Sequence, residues 1–167
     1  MKIVYSNPWF RVIQDGKNHF VEEPNSNNAA AVLVRHHNGY FILVELFRPS
    51  IGKTVIEIPR GYADTGERSD ECAIREVLEE TGYQIPPEQI TRIGSLTPNS
   101  GILSSCVDIY FGKVGDKDKI TSPDGEVKRI VMLSDQEIRR HIVAELITDS
   151  FTLSAFSLFQ LRSELHE

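Results

Sequence analysis

The chain has 167 residues, of which 40% are hydrophobic and 25% charged, a composition typical of one globular domain. Its formal net charge of -6 argues against a nucleic-acid backbone as its main partner, because proteins that bind such backbones carry a basic surplus. The chain lacks an apolar run of the roughly 20 residues that span a bilayer and a signal-peptide layout at its start. We therefore expect a cytoplasmic protein with no nucleic-acid and no membrane partner.

The first half of the chain reads mainly as strands. Residues 9–14 and 18–23 flank Asp15-Gly16, a pair that favours a tight hairpin turn. A polar break follows at residues 24–28. The sequence therefore predicts a small N-terminal antiparallel sheet ahead of the main body.

The main body begins with apolar, β-rich runs. Residues 29–35 and 40–47 are separated by Asn38-Gly39, which predicts a second hairpin, and residues 54–58 form another short strand. A helix then begins with Ser69 as its predicted N-cap and ends at Gly82. Its predicted apolar stripe consists of Ile74, Val77, Leu78 and Thr81.

The C-terminal half mixes strands and helices. Residues 90–96, 107–114 and 127–133 are predicted strands, and a polar loop at residues 115–126 connects the last two. Ser134 and Glu137 form a capping box for a second helix, and a last helix is predicted from about Phe151 to Leu165. Because the order lacks regular βαβ alternation, it favours an α+β fold.

Two cysteines and five histidines leave little room for metal or thiol chemistry. Cys72 and Cys106 have no metal-ligand spacing, and Cys106 lies beside an apolar run. We expect Cys106 to be a buried, inert thiol and not a nucleophile. The histidines are scattered, so none is predicted as a ligand, and His36-His37 is interpreted as a hairpin edge.

Three glutamates share one face of the predicted helix, because Glu76, Glu79 and Glu80 are spaced three and four residues apart. We expect this face to lie opposite the apolar stripe. Like charges at this spacing repel, and Arg75 can offset part of the repulsion by pairing with Glu79. A hard cation such as Mg²⁺, which prefers oxygen ligands, would relieve the rest. The alternative is an ordinary solvated face of an amphipathic helix.

The joint pattern favours the metal site, because residues 61–83 resemble the signature of the Nudix hydrolases, G-x5-E-x7-R-E-U-x-E-E-x-G-U, with U a bulky aliphatic residue. The matching positions are Gly61, Glu67, Arg75, Glu76, Val77, Glu79, Glu80 and Gly82. Tyr83 departs from the pattern at the second aliphatic position. Chance rarely matches seven fixed residues at fixed spacing.

The resemblance implies an α/β/α sandwich with a mixed sheet and a diphosphate-cleaving activity that depends on Mg²⁺ or Mn²⁺. It implies that Glu76, Glu79 and Glu80 bind the metal. It further implies that Glu67 supports the site, that Arg75 orients the carboxylates, and that the backbone carbonyl of Arg60 adds a ligand. The physical logic agrees, since metal ions let an acidic helix bind an anionic substrate.

Residues outside the signature resemble the ADP-ribose pyrophosphatase-like branch of the family. Arg48, Glu57 and Pro98 occur where that branch places substrate-binding residues, and the N-terminal hairpin resembles its exchanged dimer arm. Surface pairing, strand termination and sheet padding are the plainer alternatives. The chain departs from the branch in lacking an acidic residue after Pro98 and in carrying Arg60 immediately before the signature.

These resemblances imply an arm at residues 1–24, a hydrolase domain at residues 28–167 and a homodimer. Glu126, at the end of the long loop, occupies a place where the family often has a mobile general base; the alternative is a solvated carboxylate. Aromatic or apolar candidates for stacking a base are Trp9, Phe10, Leu46 and Phe47, although core packing is the expected role of most.

The sequence thus predicts a hydrolase of a nucleoside diphosphate linked to another moiety, with ADP-ribose or a nucleotide sugar as the expected substrate. Nucleoside triphosphates or dinucleoside polyphosphates are alternative substrates. A module that senses a nucleotide without cleaving it is an alternative of another class, although such modules usually lose carboxylates of the signature.

Overall fold

The computed structural model describes residues 1–164 and places them in ten strands and three helices. The strands are Lys2–Ser6 (β1), Arg11–Asp15 (β2), Asn18–Glu22 (β3), Ala30–His36 (β4), Phe41–Arg48 (β5), Lys53–Glu57 (β6), Arg60–Gly61 (β7), Ile90–Leu96 (β8), Val107–Val114 (β9) and Val127–Leu133 (β10). The helices are Ser69–Thr81 (α1), Asp135–Val143 (α2) and Ser150–Glu164 (α3). Leu165, the predicted end of the last helix, lies outside the described residues.

The main sheet has the order β10-β5-β4-β9-β8, with β4 and β9 parallel and the other neighbours antiparallel. Next to the Asn38-Gly39 turn, β4 pairs with β5. Farther from the turn the two strands diverge, because β5 then pairs with β6 while β4 pairs with β7. The segment from β6 to β7 therefore enters the opening between them and leads directly into the loop before α1.

Helices cover both faces of this sheet. Along β4, Ala30 and Val32 belong to a buried cluster that includes Val77 of α1, whereas Ala31 and Leu33 belong to a second cluster with Phe156 of α3. A strand buried on both faces is apolar along its whole length, which explains the continuous run in β4. The predicted α+β class, with an α/β/α sandwich around a mixed sheet, is confirmed.

The N-terminal sheet is antiparallel, as predicted, and contains β1 in addition to the predicted hairpin. Its third strand is attached to the main body by two hydrogen bonds. The N–H of Val21 donates to the carbonyl of Ile102 (2.6 Å), and the N–H of Ser104 donates to the carbonyl of Val21 (3.0 Å). At the other edge, all of β1 is exposed, and so is Trp9.

Two local predictions are wrong. The N-cap of α1 is Arg68, whose backbone N–H donates to the carboxylate of Glu71 (3.0 Å), while the hydroxyl of Ser69 donates to Asp108 (2.8 Å). Cys106 is exposed, although Cys72 is buried. The reason is alternation along an extended chain, since the residues on either side of Cys106 face inward.

Within residues 1–164, no helix has both the length and the apolar character needed to cross a bilayer.

Candidate active site

The signature begins at Gly61, where the backbone of β7 contacts the carboxylate of Glu76. Gly61 pairs with Ala30 of β4, and β7 also packs against α1. A Cβ atom at Gly61 would lie 2.2 Å from Oε1 of Glu76, closer than real Cβ contacts allow. Glycine at position 61 therefore lets the Glu76 carboxylate lie directly against the strand.

Arg75 connects the carboxylates of the signature. Its guanidinium donates to Glu67 (2.9 Å), to Glu76 (2.7 Å) and to Glu79 (2.9 Å), as well as to the carbonyl of Tyr62 (2.8 Å). The hydrogen bonds from Arg75 to Glu67 lower the pKa of the Glu67 carboxyl. One cation thus neutralises part of an acidic cluster and fixes the directions of three carboxylates.

The three predicted metal ligands lie in different environments. Glu79 is exposed, whereas Glu76 is 9% exposed, and burial raises the pKa of Glu76. Burial and the nearby charge of Glu76 raise the pKa of Glu80 to about 8. Oε2 of Glu80 lies 3.3 Å from the backbone N–H of Arg60, so the strand before the signature reaches the end of the helix.

The expectation that these glutamates lie on the face opposite the apolar stripe is therefore wrong for Glu76, which is buried beside Val77. The helix packs against β4, β5 and β7 at once, so its buried surface is wider than the stripe predicted from spacing. Oxygen donors of like charge in a partly buried site match the ligand preference of a hard divalent cation. The arrangement thus fits such an ion.

A second charged network lies beside the helix. Glu57, 3% exposed, accepts hydrogen bonds from Arg48 (2.6 Å) and Arg60 (3.0 Å). Arg60 also lies 3.8 Å from Asp149, whose pKa is raised by burial and by the charge of Glu57. The structure brings together Arg48 and Glu57, two predicted substrate residues, and pairs them with each other.

A cavity of about 550 Å³ adjoins this network. Arg60 and Gly61 line its signature side, and Pro98, the third predicted substrate residue, lines it as well. Phe151, at the start of α3, also lines it, and the guanidinium of Arg60 lies 4.5 Å from the centre of the Phe151 ring. The lining of the cavity thus includes both a guanidinium group and an aromatic ring.

Sequence reasoning missed two residues here, Phe151 and Asp149. Both occur where the last helix begins, and only the tertiary structure brings that helix end to the signature. The core-packing expectation for the stacking candidates holds for Leu46, which is buried. It is wrong for Phe47 and Trp9, whose exposures are 58% and 77%, because they lie at an exposed strand end and in a turn.

The polar loop, residues 115–126, is held on the end of α1. The N–H groups of Ile120 and Asp124 donate to the carbonyls of Gly82 (3.0 Å) and Glu79 (2.8 Å). Glu126 is exposed, and its N–H donates to the carboxylate of Asp124 (3.0 Å). Asp124 is close enough to Glu80 to contribute to the raised pKa of that group. The loop therefore brings the Asp124 carboxylate near Glu80, whereas the sequence singled out Glu126.

A family model of the NUDIX domain matches residues 25–147. The chain belongs to the Nudix family. Its relatives include the methanol dehydrogenase activator of Bacillus methanolicus, 29% identical over 87% of this chain and 84% of the relative. The ADP-ribose pyrophosphatase of Bacillus subtilis is 26% identical over 89% and 79%. The ADP-sugar pyrophosphatase of Mus musculus is 30% identical over 61% of this chain and 49% of its own length.

The raised pKa of Glu80 predicts that the stability of this Nudix protein, measured without metal, depends on pH. The folded state favours protonated Glu80, so this group's stabilising contribution is complete below pH 4.5 and is lost as pH rises towards about 8. Glu80→Gln should therefore raise the melting temperature of metal-free protein more at pH 9 than at pH 4, as measured by calorimetry in EDTA. Glu88→Gln, at an exposed site, is the control; an equal change at both pH values would contradict the prediction.

Proposed function

We propose that this protein hydrolyses the diphosphate bond of a nucleoside diphosphate linked to another moiety, with ADP-ribose or a nucleotide sugar as the substrate. The observation that carries this proposal is the continuity of the acidic helix with the cavity lined by Arg60, Gly61, Pro98 and Phe151. A diphosphate near the helix would leave its linked moiety facing the cavity. The pyrophosphatase names of two relatives support the same substrate class.

The signature carboxylates would hold the metal ion, Mg²⁺ or Mn²⁺. Glu76, Glu79 and Glu80 are the proposed ligands, and the backbone carbonyl of Arg60 is a fourth. When bound, the ion neutralises diphosphate charge and lowers the pKa of a water molecule. The partial burial of Glu76 and Glu80 supports this assignment, since a cation would compensate the cost of their charges.

The remaining roles belong to the protein's own groups. Arg75 would keep the carboxylates oriented, with Glu67 holding the guanidinium from the other side. Arg48 and Arg60 supply positive charge beside the cavity for the diphosphate, while Glu57 holds both guanidiniums in place. Phe151 offers an apolar ring against which a base or sugar can pack.

Water attack on one phosphorus breaks the bond to the bridging oxygen, and the attacking water must lose a proton. Glu126 is the proposed general base, and Asp124 in the same loop is the alternative candidate. Both belong to the loop on the end of α1, and the charge of Asp124 contributes to the raised pKa of Glu80. Proton transfer by a positioned carboxylate contributes about 10²- to 10⁴-fold in rate.

The N-terminal sheet, residues 1–24, is proposed to pair with a second copy of the chain, leaving residues 28–167 as the hydrolase domain. Exposed apolar side chains support this: Ile3, Val4, Tyr5 and Trp9 lie on the free edge of the sheet or next to it. A small sheet with uncovered apolar surface is marginal in water. A two-fold partner would cover the same surface on both chains.

The substrate class predicts a clear order of specificity constants with Mg²⁺. ADP-ribose or a nucleotide sugar such as GDP-mannose should exceed the common triphosphates by at least about tenfold in kcat/KM, or 1.4 kcal/mol. The panel includes diadenosine polyphosphates and NADH, with products identified by chromatography. EDTA should abolish the activity, and Glu79→Gln should lower kcat by more than about 100-fold. A tenfold preference for a triphosphate, or full activity in EDTA, would overturn the proposal.

The two loop carboxylates are separated by their kinetic effects. Glu126→Gln should lower kcat far more than it raises KM if Glu126 accepts the proton in the transition state. Asp124→Asn should have the smaller effect on kcat, and Ser122→Ala, an exposed change in the same loop, should have none. If Asp124→Asn alone lowers kcat, the general base is Asp124. If neither variant changes the kinetics, both residues are ordinary solvated carboxylates with no catalytic role.

The dimer is tested by sedimentation velocity at micromolar concentration. The native chain should sediment as a dimer, and Ile3→Glu with Trp9→Glu should sediment as a monomer, because two charges would enter an apolar interface. Leu146→Glu, at another exposed apolar position, should leave the dimer intact. A monomeric native chain would refute the proposal.

A further inference from the structure

A second cluster of metal-ligating side chains lies away from the signature, at the other end of β4. His36 is the last residue of β4 and His37 follows it, while Asp116 lies just beyond the end of β9. Ala30, which pairs with Gly61 of the signature, precedes His36 by six residues, or about 20 Å of strand. One ligand atom from each of the three side chains lies within 4.8 Å of the others.

The backbone holds this cluster in place. The N–H of His36 donates to the carbonyl of Tyr40 (2.8 Å) across the hairpin, and the N–H of His37 donates to the carbonyl of Val114 (2.9 Å). Asp116 opens a single helical turn, closed by the carboxylate of Asp118 accepting from the N–H of Gly115 (2.7 Å). Two strand ends and a short turn therefore fix the three positions relative to one another.

Two nitrogen–oxygen distances in the cluster are close to the spacing of ligand atoms in a tetrahedral site. Nε2 of His36 lies 3.3 Å from Oδ1 of Asp116, and Nε2 of His37 lies 3.4 Å from Oδ2. Ligand atoms about 2.0–2.1 Å from a tetrahedral Zn²⁺ are about 3.3 Å apart. The carboxylate thus lies between the two imidazole nitrogens, with a different oxygen next to each.

His36 supplies the second observation. Its side chain is 4% exposed, and within residues 1–164 its Nε2 atom has no hydrogen-bond partner of acceptable geometry. A buried polar atom without a partner is costly and calls for an explanation such as an ion. Metal binding at Nε2 needs the proton on Nδ1, where the Asn38 N–H now lies 3.4 Å away. That contact is longer than a normal hydrogen bond, so little is lost with it.

We propose that His36, His37 and Asp116 bind a divalent transition metal ion, Zn²⁺ in the first instance, at a site separate from the signature. Two imidazoles and one carboxylate favour Zn²⁺ over Mg²⁺, which prefers oxygen ligands alone. Three protein ligands leave a fourth position free. His37 and Asp116 also line a cavity of about 640 Å³, so that position is open to water or a small ligand.

The ion would act on the loop that serves the proposed active site. Asp116 lies at the start of residues 115–126, and the far end of this loop is held on α1 through the N–H of Asp124. Joining Asp116 to His36 and His37 would fasten the near end to the hairpin. Because a ligand that binds only the folded state stabilises it, Zn²⁺ should raise the melting temperature.

The test uses the full chain carrying Glu79→Gln and Glu80→Gln, which removes two acidic ligands of the proposed magnesium site. Titration calorimetry should show one Zn²⁺ bound per chain, and Zn²⁺ should raise the melting temperature. His37→Ala and Asp116→Asn, both at exposed positions, should each weaken Kd for Zn²⁺ by at least about tenfold. Both variants should also lose the rise in melting temperature.

Matched controls are His19→Ala, at an exposed histidine elsewhere, and Glu88→Gln, in the same cavity but outside the cluster. Neither should change Kd for Zn²⁺. The titration is repeated on the native chain with excess Mg²⁺, which guards against misfolding of the double variant. Absence of stoichiometric Zn²⁺ binding in both, or equal binding by His37→Ala and Asp116→Asn, would overturn the proposal and leave the cluster as a simple ion pair.

Discussion

The guanidinium of Arg75 contacts the carboxylates of Glu67, Glu76 and Glu79, and the geometry of the signature depends on these contacts. Without a cation among them, glutamates one turn apart would repel and turn outward. Removing one partner of an ion pair is costlier the more deeply the remaining charge is buried, because that charge is left uncompensated. The protein supplies part of the neutralising charge, and the proposed metal ion would supply the rest.

This acidic cluster is positioned by the divergence of two strands. The hairpin of β4 and β5 pairs only near its turn, and the opening beyond it admits β6 and β7. Gly61 then lies against Glu76, and Arg60 lies between the helix and the cavity. The same strand, β4, ends at the proposed zinc site. A single buried strand thus relates the two sites, and the loop from Asp116 to Glu126 connects them along the surface.

Much of the fold could be predicted from the sequence, because strands and helix caps leave strong local patterns of residues. The strands Ile90–Leu96, Val107–Val114 and Val127–Leu133 occur at the predicted residues, and Ser134 caps α2 as its capping box indicates. Prediction failed where tertiary contacts decide. Ser69 bonds to Asp108 of a distant strand instead of capping α1, and β1 becomes a strand only because β2 offers it an edge.

The sequence by itself indicated the family, because the residues of the signature match it at fixed spacing. It also grouped the three glutamates of the acidic helix, because helical periodicity places residues three and four apart on one face. Only the tertiary structure decided which carboxylates are buried, since burial depends on the strands that α1 packs against. It also brought Phe151 and Asp149 to Arg60, and Asp116 to His36 and His37. These groups lie tens of residues apart in the chain, and no local periodicity records contacts at such separations.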